Sequence, residues 1–185
     1  MADNAFAELL PAPAGGGFAM DDYWVWCGSA VRGDDGRYHL FASRWPKTYP
    51  FYNGYVVYSE IVRAVADTPA GPFAFQEVVL GERDLDCWDG GQTHNPTIHY
   101  IDGRYCLFYQ GFTFPGGKPS DADVARLPRP ELPSTYPAIG LATALSVTGP
   151  WTRPDEPILS ERRDRWDRDV VTNPAVCVAP DGRVL

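Results

Sequence analysis

A hairpin signature repeated along the chain limits what this protein can become. Its clearest copy runs Asn95-Pro96-Thr97-Ile98-His99-Tyr100-Ile101, then Asp102-Gly103, then Arg104-Tyr105-Cys106-Leu107-Phe108-Tyr109. Gly103 tolerates positive φ and Asp102 can bond its own backbone, so the pair makes a tight turn. Both flanks are β-branched and aromatic, as suits half-buried strands. The turn and second strand recur at Asp35-Gly36-Arg37-Tyr38-His39-Leu40-Phe41. The whole hairpin recurs at Thr172-Asn173-Pro174-Ala175-Val176 with Asp181-Gly182-Arg183-Val184-Leu185. From Asp35 to Asp102 is 67 residues, and from Asp102 to Asp181 is 79. Gly71-Pro72-Phe73 and Gly149-Pro150-Trp151 repeat as well, 78 residues apart. A unit of roughly 70 residues is therefore present twice and begins a third time, which points to a repeat architecture.

Each full unit reads as four strands. The first predicts strands over 23–31, 37–44, 55–66 and 73–80; the second over 95–101, 104–112, 138–145 and 151–159. No long stretch carries a 3.6-residue apolar period. Aromatics at 14%, with 18 Gly and 18 Pro, fit short strands joined by tight turns. Units of four antiparallel strands predict an all-β fold built from β-propeller blades. Residues 1–19 are expected to be irregular and 20–185 to form a partial propeller. Blade one covers about 20–80, blade two about 88–159, and blade three starts at about 166–185. The last residues fall inside a hairpin, so the chain reads as truncated, with about two and a half blades. Six prolines between 114 and 137 predict a loop with neither helix nor central strand, either a surface excursion or a wall of a binding site.

Charge and cysteines narrow the classes. A net charge of −8 argues against a nucleic-acid surface and an anionic membrane as partners. No apolar run reaches the roughly 18 residues of a membrane span, and residues 1–17 lack the basic start and apolar core of a secretory signal. Cys27, Cys87, Cys106 and Cys177 show no CxxC spacing; Cys27, Cys106 and Cys177 sit in or beside strands of the repeat and are expected to be small buried hydrophobes, which fits a reducing cytoplasm. No metal site or cofactor is expected. His94 and His99, five apart on a strand, fall on opposite faces.

Carboxylates recur with the hairpins. Asp89 and Asp167 each stand six residues before an Asn-Pro, and Asp22 stands six before Gly28. In a propeller, equivalent positions from different blades converge on a common funnel. That can assemble an acid/base pair from distant residues. An Asp before a strand can equally be a turn device. In Asp21-Asp22-Tyr23-Trp24-Val25-Trp26 the acids lie among aromatics, a composition suited to sugars: rings stack on pyranose faces and carboxylates hold hydroxyls. The candidate catalytic residues are thus Asp22, Asp89 and His94, the last either a proton donor or substrate contact or else a satisfied structural histidine. Candidate substrate contacts are Asp21, Trp24, Trp26, Arg44, Trp45, Glu60, Asn95, Asp167 and Asn173. Arg44-Trp45 could frame a sugar subsite or simply pack.

These Asp-Gly-Arg hairpins opened by Asn-Pro, together with Ser146-Val147-Thr148-Gly149-Pro150-Trp151, resemble the five-bladed β-propeller glycoside hydrolases, family 43 above all. The resemblance covers about residues 20–185. Residues 21–29 and 41–46 are similar to a bacterial subgroup of the same superfamily. The resemblance implies a carbohydrate substrate and hydrolysis of O-glycosidic bonds with inversion, which needs carboxyls about 6.5–9.5 Å apart. It implies a general-base Asp at the start of blade one, matched best by Asp22, a second Asp before Pro at a strand head, and a general-acid Glu in a later blade. The strand-head places hold Asn95 and Asn173 instead, and Asn cannot titrate. No Glu here matches the acid. A non-catalytic carbohydrate-binding propeller is the alternative that this departure supports.

Overall fold

A computed structural model describes residues 11–126, 136–168 and 170–185. The elements are β1 (Tyr23–Arg32), β2 (Tyr38–Pro46), α1 (Phe51–Tyr58), β3 (Glu60–Ala66), β4 (Ala74–Leu80), β5 (Gln92–Ile101), β6 (Arg104–Phe112), α2 (Asp121–Arg126) and β7 (Ala138–Ala144). They form two antiparallel sheets in sequential order, β1-β2-β3-β4 and β5-β6-β7. Residues 151–159 occupy the outer edge of the second sheet. They touch β7 at two points, Thr143 with Thr152 and Ile139 with Leu159. Pro154 and Pro157 remove donors in between, so the expected fourth strand is not continuous. A third hairpin closes between Cys177 and Leu185, whose backbones exchange bonds of 3.0 and 2.9 Å.

The turns show why the repeats fold alike. Asp102 and Gly103 both adopt positive φ, at 48° and 80°. That is the twist which a two-residue hairpin between right-twisted strands requires. The β1–β2 turn is longer: Gly33 N donates to Arg37 O at 2.8 Å, and Asp35 accepts from Arg37 N at 3.0 Å. Buried His39 pins this turn through Asp35 at 3.0 Å, while Arg63 donates to its Nδ1 at 2.9 Å. Arg63 has no acceptor to offer, so Nδ1 is unprotonated and the proton sits on Nε2.

The main core lies between the sheets and joins Phe41, Ile61 and Leu80 to Ile98, Leu107, Tyr109 and Ala142. Two expectations fail at the connections. Residues 55–58, expected in the third strand, belong to α1. The β-branched Val56 and Val57 favoured a strand locally. Burial decides otherwise, because Val57 packs with Phe112, Phe114 and Val124 in a second core. The Pro-rich loop contains α2, which fits in the proline-free run between Pro119 and Pro128. The two helices are bound together: Asn53 Nδ2 donates to Val124 O at 2.8 Å, and the Tyr58 hydroxyl bonds Asp121. No helix among the described residues is long and apolar enough to cross a membrane.

Candidate functional site

The first strands of the two full units, β1 and β5, are each broken at one point. The β1–β2 register shifts between Trp26 and Gly28, and the β5–β6 register between His94 and Thr97. Cys27 and Asn95 carry positive φ of 46° and 49° at these breaks, and Asn173, at the equivalent place in the third unit, has 55°. Such a conformation costs a non-glycine residue roughly 1–2 kcal/mol, least for Asn, and bulges of this kind re-aim side chains. The structure thus pairs Cys27, not Gly28, with Asn95 and Asn173. The longer β1–β2 turn had shifted the sequence alignment by one. In the corrected register Asp21, rather than Asp22, stands six residues before the bulge as Asp89 and Asp167 do.

The two bulges and the Asn173 segment face one hollow of about 610 Å³, lined by residues 26–29, 95–97 and 173–176. Asn95 Nδ2 donates to Asn173 Oδ1 across it. Thr97 Oγ1 donates to Pro174 O at 2.7 Å, and Ser43 Oγ receives Asn95 N at 3.0 Å. Asn95 Oδ1 is buried without a partner. Beside the hollow, Thr172 bonds the Gln110 side chain, which also bonds the Tyr55 hydroxyl. None of the lining residues is a carboxylate. A separate depression of about 400 Å³, beside Arg104 and Thr143, draws on the second sheet and the turn after it, so it does not gather groups from separate repeats.

His94 sits just below Asn95 and is almost fully buried. Its Nδ1 lies 2.6 Å from Ser59 Oγ, and its ring centroid is 4.4 Å from Tyr55 and 5.5 Å from Trp45. Burial pushes its pKa down from 6.5 to about 3. At neutral pH it is an uncharged imidazole, able to donate through one nitrogen and accept through the other. The unfolded chain binds a proton here that the folded chain refuses. Stability is therefore whole above pH 6.5 and falls on acidification toward pH 3, by up to about 1.4 kcal/mol per unit. His94→Gln should flatten that part of the acid limb, seen as urea midpoints converging with wild type between pH 7 and 4. Parallel midpoints would show that His94 protonates freely in the fold.

The repeated carboxylates have different surroundings. Asp89 is fully buried, and both its oxygens are occupied: Arg83 Nε donates to Oδ1 at 2.6 Å, Arg153 Nη2 to Oδ2 at 2.7 Å and the Tyr109 hydroxyl to Oδ2 at 2.7 Å. That environment binds two segments together and leaves no oxygen for a substrate. Asp167 pairs with Arg162 at 2.7 Å, a contact that lowers its pKa, while its Oδ1 is buried and unpartnered. Asp21 and Asp22 are exposed in a different cleft, with Phe18, Tyr23, Phe73 and Phe75. The backbone carbonyls of both are held by Lys47, Asp21 O by Nζ at 2.9 Å and Asp22 O by the amide at 2.9 Å.

The remaining candidates divide between rim and interior. Trp26 lines the hollow and is half exposed, and Trp24 lies behind it against Phe51. Trp45 is 1% exposed and packs on Phe51, Tyr55 and His94, so it supports the site without reaching a ligand. Arg44 pairs with Glu60 at 2.8 Å and lies over the rings of Tyr23 and Phe75. These two serve the face of the first sheet rather than the hollow. Among the described residues no three His, Cys, Asp or Glu side chains converge as metal ligands.

No family model matches the chain, and no curated protein matches it by sequence. Solved structures do. A family 117 glycoside hydrolase of the marine bacterium Zobellia galactanivorans superposes with a TM-score of 0.65 at 18% identity, over 86% of this chain and 46% of its own. A family 43 β-xylosidase/α-arabinofuranosidase from a compost metagenome, solved with xylotriose in a calcium-free form, gives 0.56 at 20%, over 89% and 43%. A GH43_1 enzyme of Xanthomonas citri gives 0.54 at 17%, over 87% and 38%. The chain has the fold of a glycoside hydrolase propeller. It spans less than half the length of these five-bladed structures, with two sheets and a third hairpin. Of the candidates read from the sequence, Trp26, Asn95 and Asn173 line this hollow and His94 lies beside it, while Cys27, which also lines it, and Tyr55, Gln110 and Thr172 nearby carried no signal singled out in the sequence. Phe51, Tyr55 and Tyr58 stand at helical spacing, a signal that could have pointed to α1.

Proposed function

We propose that this chain is the carbohydrate-holding part of a glycoside hydrolase, with the sugar seated over the hollow between β1, β5 and residues 173–176. One observation carries this reading: neutral amides from two separate repeats, Asn95 and Asn173, meet there beside the exposed ring of Trp26. An amide donates and accepts at once, which matches neighbouring hydroxyls on a sugar, and an indole face suits the apolar face of a pyranose. The neutral His94 backs the same strand. Bond cleavage would need a proton donor and a base on either side of the glycosidic oxygen. The family resemblance points to Asp22 as the base, but Asp22 opens on a separate cleft with Phe18 and Phe75, so this reading gives it no part in chemistry at the hollow. A second reading, binding without turnover, is favoured by the bulge positions themselves, which hold Cys27, Asn95 and Asn173 where a carboxylate would be useful.

The test joins binding to product release. Xylotriose and other trisaccharides are titrated into the protein, and reducing ends are counted. Asn95→Ala and Asn173→Ala should each weaken sugar binding about tenfold, roughly 1.4 kcal/mol. If sugar is cleaved over the hollow, Asp22→Asn should leave the rate within about twofold of wild type. A loss of about 100-fold or more would return Asp22 to the chemistry. Binding without cleavage selects the second reading, and no binding of any trisaccharide sinks both.

A further inference from the structure

Helix α1 carries a second feature that the hollow does not explain. Phe51 and Tyr52 leave 40% and 44% of their surface in water, next to Trp26 at 52%. Scattered exposed aromatics need no explanation, but Phe51 and Tyr52 are neighbours on one helix and Phe51 touches Trp26, which lines the hollow, so they form a patch of the kind that marks a binding surface. The rings are also held in place. Phe51 meets Trp26 edge-on at 5.6 Å, Trp24 at 5.4 Å and Trp45 at 4.9 Å. Tyr52 lies 6.0 Å from Tyr55. The helix beneath is anchored by Val57 in the second core and by the bond from Asn53 to Val124 O. A ring already fixed loses little rotamer freedom when a ligand lands on it, so its contact area converts to affinity efficiently.

We propose that Phe51 and Tyr52 form a distal sugar subsite, stacking on the ring next to the one held over the hollow. The inference rests on the carbohydrate reading and adds a length requirement to it. Trp26 belongs to both surfaces, since it lines the hollow and touches Phe51, so a chain of two or more sugars can run from one to the other. Pyranose C–H groups present a weakly positive face to the negative face of an aromatic ring, and no charge is needed. The site therefore selects neutral oligosaccharides over their monomers.

Paired titrations test this. Xylotriose against xylose, and cellotriose against glucose, are measured by tryptophan fluorescence with wild type, Asn95→Ala, the double variant Phe51→Ala/Tyr52→Ala, and Phe51→Leu/Tyr52→Leu. The leucine pair keeps apolar volume over Trp45 while removing the π faces, and unchanged unfolding midpoints certify the fold. Both double variants should weaken the trisaccharide about tenfold and the monosaccharide less than twofold. Equal loss for trimer and monomer, or no loss for the trimer, overturns the subsite. Loss of both ligands in Asn95→Ala, with no loss in the double variants, would leave the carbohydrate reading standing without it. No binding of either trisaccharide to wild type overturns both.

Discussion

Replacing Asp89 by alanine is expected to cost about 3–5 kcal/mol of folding stability, the penalty for breaking a buried ion pair from one side. The carboxylate is wholly out of water, and Arg83 and Arg153 are only 22% and 14% exposed in their side chains. Without Asp89 two guanidinium groups stay close together with little water to screen them, and the buried Tyr109 hydroxyl loses its acceptor. The same groups also tie down backbone. Arg153 Nη1 donates to Gly81 O at 2.7 Å, and Arg83 Nη2 to Pro154 O at 3.0 Å, so the link between the sheets is strapped to the outer edge of the second. Gly111 and Gly140 make room for this assembly: a Cβ on Gly140 would lie 2.6 Å from the Trp88 ring, and one on Gly111 2.6 Å from Asp89 Cβ. Urea midpoints at pH 7 measure the loss. Asp89→Asn, which keeps the volume and part of the bonding, should fall between wild type and alanine. A midpoint for Asp89→Ala near wild type would show that the arginines find water on their own. Asp167→Ala should cost far less, because Arg162 is 55% exposed and rehydrates at once.

Trp45→Ala should destabilise by about 3–5 kcal/mol as well, through the cavity left by a fully buried indole. Here the loss also reaches the site. Trp45 is the surface on which Phe51, Tyr55 and His94 rest, so α1 loses its seat and sugar binding should fall with stability. Its Nε1 has no hydrogen-bond partner, so Trp45→Phe removes no bond and should cost well under half as much. Urea midpoints and trisaccharide titration of the two variants separate the cases. Equal losses for alanine and phenylalanine would mean that shape at this position, rather than bulk, controls the helix.

The two replacements mark the border between what a local reading reaches and what it misses. Asp89 was visible as a repeated carboxylate, but nothing nearby in sequence names Arg153 as its partner. A carboxylate that recurs with each unit is equally a catalytic group or a clamp until its neighbours are known. The sequence leaves Trp45 open between framing a sugar subsite and packing; burial beneath α1 makes it a support. Tyr55 was read as strand because Val56 and Val57 follow it, while the cluster that draws Val57 inward comes from Phe112, Phe114 and Val124, far along the chain.

What the sequence determined alone were the features set by neighbours a few residues apart: the Asp-Gly turns, the alternation that makes strands, the repeat that makes sheets, and Asn95 and Asn173 at equivalent places. Tertiary structure alone decided which residues reach the hollow. A one-residue difference in the β1–β2 turn moves Cys27 into register with the two asparagines, and packing across about 50 to 70 residues of chain turns 51–58 into a helix whose rings rim the site. Turns and strands answer to local φ and ψ, whereas burial answers to whichever distant surface the chain closes against.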